Sequence, residues 1–134
     1  MVVGFTGTRQ GMTAVQTIQL RGFLEVLWDA RRPNEFHHGG AAGADASAWR
    51  FAVLRGYEIH WHPCPGVSAT DETSCHCWHE VLAPLVRNRL IVEVCDVLIA
   101  APFTGIEQLR SGTWATVRHA RKASKPVVML SRGR

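Results

Sequence analysis

The chain alternates between short apolar runs and longer amphipathic stretches. Met1 to Thr6 is an apolar run that predicts a strand and stops at Gly7-Thr8-Arg9. From Gly11 to Ala30, Met12, Val15, Ile18, Phe23, Leu24 and Leu27 recur near helical spacing, and Pro33 follows the end, so this segment predicts a helix. Glu35 to His38 reads as a short strand running into Gly39-Gly40-Ala41-Ala42-Gly43. Ala44 to Leu54 reads as a helix stopped by Gly56. Tyr57 to Trp61 alternates like a strand. Glu80 to Val94 is predicted helical, with Pro84 near its start. Asp96 to Ala101 is a continuous apolar strand, Gly112 to Ala123 a helix, and Pro126 to Leu130 a last strand. Between them, Pro63 to His79 reads as one long loop, long enough to flank or cover a site.

Five strands thus alternate with four helices. Runs such as VLIAA and VVML are apolar on both faces, which a half-exposed antiparallel strand would not be. The expected fold is α/β: a single Rossmann-like domain over residues 1–134, with a five-stranded, mainly parallel sheet and helices on both faces. In such sheets ligands bind beyond the carboxyl ends of the strands, near the point where strand order reverses. The glycine-rich and polar segments of this chain fall at those ends.

Composition narrows the classes. At 134 residues, 46% apolar and 19% charged, the chain fits one ordinary globular domain. No apolar run approaches the roughly 20 residues of a membrane span, and MVVGFTGTR lacks the basic start of a secretory signal. No membrane association and a cytoplasmic location are therefore expected. The net charge of +4 favours anionic ligands weakly and is far below a nucleic-acid-binding stripe. Cys64, Cys75, Cys77 and Cys95 are expected as free thiols, with Cys95 in the core. The C-x-C pair lies ten residues beyond Cys64, which is not a zinc-ligand spacing, so neither a metal site nor a cofactor is expected.

Four segments carry chemistry. Gly7-Thr8-Arg9-Gln10-Gly11 combines a flexible backbone, a hydroxyl and a guanidinium before a helix N-terminus, which suits a phosphate. A helix cap with a surface arginine is the plain alternative. His37-His38-Gly39-Gly40-Ala41-Ala42-Gly43-Ala44-Asp45 leaves no side-chain bulk, so a ligand can lie on the backbone. Asp45 there either caps the helix or accepts from a ribose hydroxyl. One histidine of the pair is expected to face a helix and the other the site. Arg87 and Asn88 sit on a helix and read alone as a solvated face. Ser111-Gly112-Thr113, with Thr116 one turn on, opens the last helix with hydroxyls and free N–H groups, as a phosphate cradle or simply as an N-cap.

Taken in order, these segments resemble the SLOG superfamily, the Rossmann-like group that unites DprA/Smf proteins with LOG "lysine decarboxylase-like" proteins. The motifs are Gly7-Thr8-Arg9, Gly40-Ala41-Ala42-Gly43-Ala44-Asp45, Arg87-Asn88-Arg89 ahead of CDVLIAAP, and Ser111-Gly112-Thr113-Trp114-Ala115-Thr116. Nearly the whole chain is covered, and the RSGTWAT stretch looks nearest to compact stand-alone members on the Smf and YpsA-like side. The resemblance implies a nucleotide or nucleotide-derived phosphorylated ligand. Its implied shell is Gly7, Thr8, Arg9, Gly39, Gly40, Gly43, Asp45, Arg87, Asn88, Ser111, Gly112, Thr113 and Thr116.

LOG proteins cleave an N-glycosidic bond with a glutamate in PGGxGTxxE. That position is Thr116 here and the Pro-Gly-Gly is absent. Glu107 and Asp45 are the nearby carboxylates able to act as acid or base. Three readings therefore stand: a binding or sensing protein, a nucleotide N-glycosidic hydrolase or transferase, and a DprA-like single-stranded DNA binder. Nucleic acid is the less favoured partner, because Arg118, Arg121, Lys122, Lys125, Arg132 and Arg134 also suit a solvated helix face. Apolar residues around several helices, with Trp28, Trp49, Trp78 and Trp114, lead to an expected homo-oligomer.

Overall fold

The structure is a computed structural model and describes residues 1–40, 42–65 and 75–133. Six strands and four helices are present among them: β1 (Val2–Gly7), α1 (Ala14–Leu27), β2 (Glu35–His38), α2 (Ala44–Arg55), β3 (Glu58–Trp61), β4 (Cys77–Trp78), α3 (Pro84–Val94), β5 (Val97–Ala101), α4 (Gly112–Lys122) and β6 (Val127–Met129). The sheet order is β4-β3-β2-β1-β5-β6, and every pairing is parallel. Strand order reverses between β1 and β5, so the crevice of an open α/β sheet lies at their carboxyl ends.

The expected fold is present, with one strand more than the five expected. The extra strand is β4, two residues inside the segment read as a continuous loop. It registers His60 opposite Cys77 and Trp61 opposite Trp78. Two paired residues leave no periodicity for a pattern to reveal. Residues 66–74 of that segment lie outside the described residues. Helix α3 starts at Pro84 and not at Glu80, because proline at the first helical position gives up an N–H that has no intrahelical partner there.

Local signals explain the other boundaries. Thr13 and Gln16 close a reciprocal capping box at the start of α1. Gly56 ends α2 at φ 110°, a left-handed conformation that glycine adopts without strain, and its N–H reaches Ala52 O and Val53 O. Ser111 caps α4 by accepting from Trp114 N–H.

Two apolar layers flank the sheet. Val3, Phe5, Phe36, Ile59, Val97 and Ile99 pack against Leu20, Leu24, Ala48 and Ala52 of α1 and α2. On the other face Leu98 and Ala100 pack against Val92, Trp114, Val117 and Ala120 of α3 and α4. Strand β5 is buried along its whole length, as a two-sided apolar run requires. Buried Gln16 ties the layers to the sheet by donating from Nε2 to Pro102 O (3.1 Å) and Leu130 O (3.3 Å). No helix of the described residues is long and apolar enough to cross a membrane.

Candidate functional site: an arginine-lined cleft at the strand-order switch

A cleft of ≈ 580 Å³ opens at the carboxyl ends of β1 and β5. Its walls bring together eleven of the residues that the sequence singled out: Gly7, Thr8, Arg9, Gly39, Asp45, Arg87, Asn88, Ser111, Gly112, Thr113 and Thr116. These come from four separate loops and helix starts, and the reversal of strand order is what gathers them. Gln10, from the first of the four segments, joins them, as do Phe103, Gln108 and Arg110.

Each wall is held by identifiable bonds. Thr8 continues β1 by donating its N–H to Ala101 O (3.0 Å), and its own carbonyl accepts from Gly11 N–H and Ala44 N–H. Its hydroxyl pairs with the Gln10 side chain. Gly43 and Gly40 fall outside the lining and act on the loops instead. Gly43 sits at φ 83° directly against the Thr8–Arg9 backbone, where any Cβ would collide with Arg9. A side chain at Gly40 would strike the Trp61 indole. Asp45 is buried and accepts from Gly39 N–H through Oδ2 (3.1 Å), which fixes the glycine-rich turn from inside.

Arg87 sits at the centre. Its Nη1 donates to Gly39 O (2.9 Å) and His62 O (3.0 Å), and its Nε donates to Asn88 Oδ1 (2.7 Å). It is 9% exposed, and among the described residues no carboxylate pairs with it. The "solvated face" reading of Arg87 therefore fails, since the side chain turns inward to bridge the ends of β2 and β3. Arg9 and Arg110 are exposed on the lining and make no ion pair among the described residues. Three arginines and one aspartate thus line the cleft.

The N-terminus of α4 also lines the cleft, and its first-turn N–H groups lack intrahelical partners, Ser111 capping one of them. Thr116 Oγ1 donates back to Gly112 O (2.9 Å) and holds that turn. The N-terminus of α1, also considered as an anion site, does not line the cleft; its capping box lies beyond a six-residue loop from β1. Glu107 is outside the lining as well and pairs with Arg118 at 3.1 Å. Phe103, half exposed, offers a flat ring on the lining and carries the Arg132 guanidinium 4.9 Å from its centroid.

The two adjacent histidines part as alternation dictates. His38 points to the α2 side, accepts from Gly40 N–H (2.9 Å), and is driven down to about 3 by burial and the nearby Arg87 charge. His37 points to the opposite face, where it meets His60, His62 and His79. This cluster has no counterpart in the cysteine spacing. The signal that reveals it is Glu-x-His in β2 and Glu-x-His-x-His from β3, which alternation places on one face.

No family model and no curated protein matches the sequence. Solved structures do match. The molybdenum cofactor binding protein of Rippkaea orientalis superposes with a TM-score of 0.66 at 19% identity, covering 96% of this chain and 74% of that one. The Moco carrier protein of Chlamydomonas reinhardtii gives 0.66 at 22% identity, covering 96% and 75%. DNA processing protein A (DprA) from Streptococcus pneumoniae gives 0.66 at 21% identity; this chain is covered to 96% and spans about half (49%) of that one. The chain thus shares the Rossmann-like α/β fold of these proteins.

Proposed function

We propose that the cleft binds a nucleotide or nucleotide-derived phosphorylated ligand, and that the protein acts as a binding or sensing protein for it. The observation that carries this reading is the charge of the walls, three arginines to a single aspartate, with the α4 N-terminus on the same lining. Phosphate oxygens suit both the guanidinium fork and free helix N–H groups. Phe103 offers a planar surface for a heterocycle. The neighbours in fold include carriers of the molybdenum cofactor, which is in keeping with a small-molecule guest.

Turnover is the second reading. Thr116 stands where the LOG glutamate aligns, and it is buried with its hydroxyl committed to Gly112. Asp45 is the lining carboxylate, and it already accepts from Gly39. Glu107 would have to leave Arg118 to act. Incubation with nucleoside monophosphates is expected to release no free base. Release that Asp45→Asn or Glu107→Gln abolishes would establish the hydrolase. DNA binding is the less favoured reading, because three of the six basic residues near the C-terminus are engaged: Arg118 is paired with Glu107, Lys125 donates to Glu93 O and Cys95 O, and the Arg132 guanidinium lies 4.9 Å from the Phe103 ring centroid.

We place the protein in the cytoplasm. The exposed Leu85 and Val86 of α3 would form the contact of a homo-oligomer, which light scattering would detect. Native mass spectrometry of the protein purified from cells tests the main reading. The expected result is a bound species with the mass of a phosphorylated nucleotide derivative. A ligand-free protein that also ignores every nucleoside monophosphate offered would refute it.

A further inference from the structure

The sheet face shared with α3 and α4 changes character toward β4. Over β1 and β5 it is apolar, as a covered parallel sheet should be. Over β2, β3 and β4 it carries histidines and carboxylates in register. Glu35 stands opposite Glu58, and His37, His60 and Cys77 form one cross-strand row. His62 and His79 continue the ladder toward the carboxyl ends. His37, His60 and His62 are buried, so three imidazoles occupy space that apolar side chains normally fill.

The ring nitrogens converge. His37 Nδ1 lies 2.7 Å from His62 Nε2, and His60 Nδ1 lies 2.9 Å from His79 Nε2. The His62 and His79 rings stack with centroids 4.0 Å apart. One ligand atom from each of His37, His62 and His79 falls within 4.8 Å of the other two. The far side of the cluster is anchored by carboxylate. Glu35 lies 3.3 Å from His37 Nε2 and 2.7 Å from His60 Nε2, and Glu58 lies 2.7 Å from His60 Nε2. A carboxylate on Nε2 fixes the proton there and leaves the Nδ1 lone pair pointing inward, the usual outer arrangement behind a metal-bound imidazole. His62 Nδ1 is buried and unpartnered among the described residues, which leaves that ring oriented only through Nε2.

We propose that His37, His62 and His79 bind one divalent transition-metal ion of the zinc class, with Glu35 orienting His37 from behind. Three imidazoles form a donor set that zinc accepts, completed in such sites by a water. Glu35 and Glu58 together balance the charge of a divalent ion. The site is separate from the arginine-lined cleft, and Arg87 joins the two by holding the His62 carbonyl.

The test is zinc titration of the chelator-stripped full chain against a chromophoric competitor, with cobalt as a spectroscopic stand-in. The expected result is one equivalent bound more tightly than micromolar, with a cobalt spectrum typical of a four-coordinate site of three imidazoles and one water. His79→Ala, at the less buried end of the cluster, is expected to keep the native circular dichroism and to lose about 100-fold or more in affinity. Glu35→Gln is expected to lose about 10- to 100-fold, as outer partners do. His119→Ala on α4 should bind like the wild type. Wild-type protein that binds no zinc at micromolar concentration would overturn the proposal, as would binding that survives both His79→Ala and His37→Gln. Neither outcome depends on whether the cleft takes a phosphorylated ligand.

Discussion

Replacing Arg87 with methionine tests how the two halves of the sheet edge are held. The guanidinium supplies a charged donor to two carbonyls, Gly39 O at 2.9 Å and His62 O at 3.0 Å, that close the ends of β2 and β3. A hydrogen bond to a charged group contributes about 1.5–3 kcal/mol, so the pair amounts to about 3–6 kcal/mol. Against this stands the desolvation of a guanidinium that has no carboxylate partner among the described residues, itself several kcal/mol per ion. Methionine keeps most of the stem volume, which limits any cavity term. The balance is a loss of about 2–3 kcal/mol, because the His62 carbonyl loses its Arg87 donor in a buried place and Gly39 O keeps only the longer bond from Trp61 Nε1 (3.3 Å). Urea unfolding with an unchanged slope would read this loss directly. Arg87→Lys keeps the charge without the fork and is expected to fall between the two. A methionine variant as stable as the wild type would refute the reasoning, since it would mean that the buried charge offsets all that its bonds contribute.

Gly43→Ala is expected to destabilise by about 2 kcal/mol or more, since φ 83° strains any L side chain and the added Cβ runs into the Arg9 backbone; thermal unfolding would show it. Chelator-treated protein is expected to lose stability on acidification. His37 is held down to about 2, and His38 and His62 to about 3, all from an ordinary value of 6.5. Between pH 6.5 and about 3 the unfolded chain therefore binds protons that the folded chain refuses. The slope is about 1.4 kcal/mol per pH unit for each such histidine. Urea midpoints that stay flat from pH 7 to 4.5 would contradict the buried, uncharged cluster.

Much of this architecture is legible in the chain because strong local signals coincide with strand ends. VLIAA is apolar at every position and becomes the wholly buried β5. Gly7, Gly39 and Gly43 mark the turns that let three loops meet, and the Ser111 cap marks the last helix. Arg87 carries no such local signal, since an arginine beside an asparagine on a helix reads as solvent-facing, and its inward turn depends on the ends of β2 and β3 lying beneath it. Glu107 shows the converse: nearness in sequence to Ser111 does not bring it to the cleft, because Arg118, about two turns into α4, draws it away. The histidine cluster escapes a spacing rule built on one segment, because its members come from three strands and converge through register. The paired Glu-x-His alternation is the trace it leaves.

The central claim is that the cleft recognises a phosphorylated guest through its arginines. Isothermal titration of the wild type with nucleoside monophosphates and the matching nucleosides tests it most directly, alongside an Arg9→Ala/Arg110→Ala double variant. The predicted result is binding of at least one monophosphate, little or none of its nucleoside, and a loss of about tenfold or more in the variant, equivalent to about 1.4 kcal/mol. Equal affinity for nucleoside and monophosphate, or a variant that binds as well as the wild type, would contradict it.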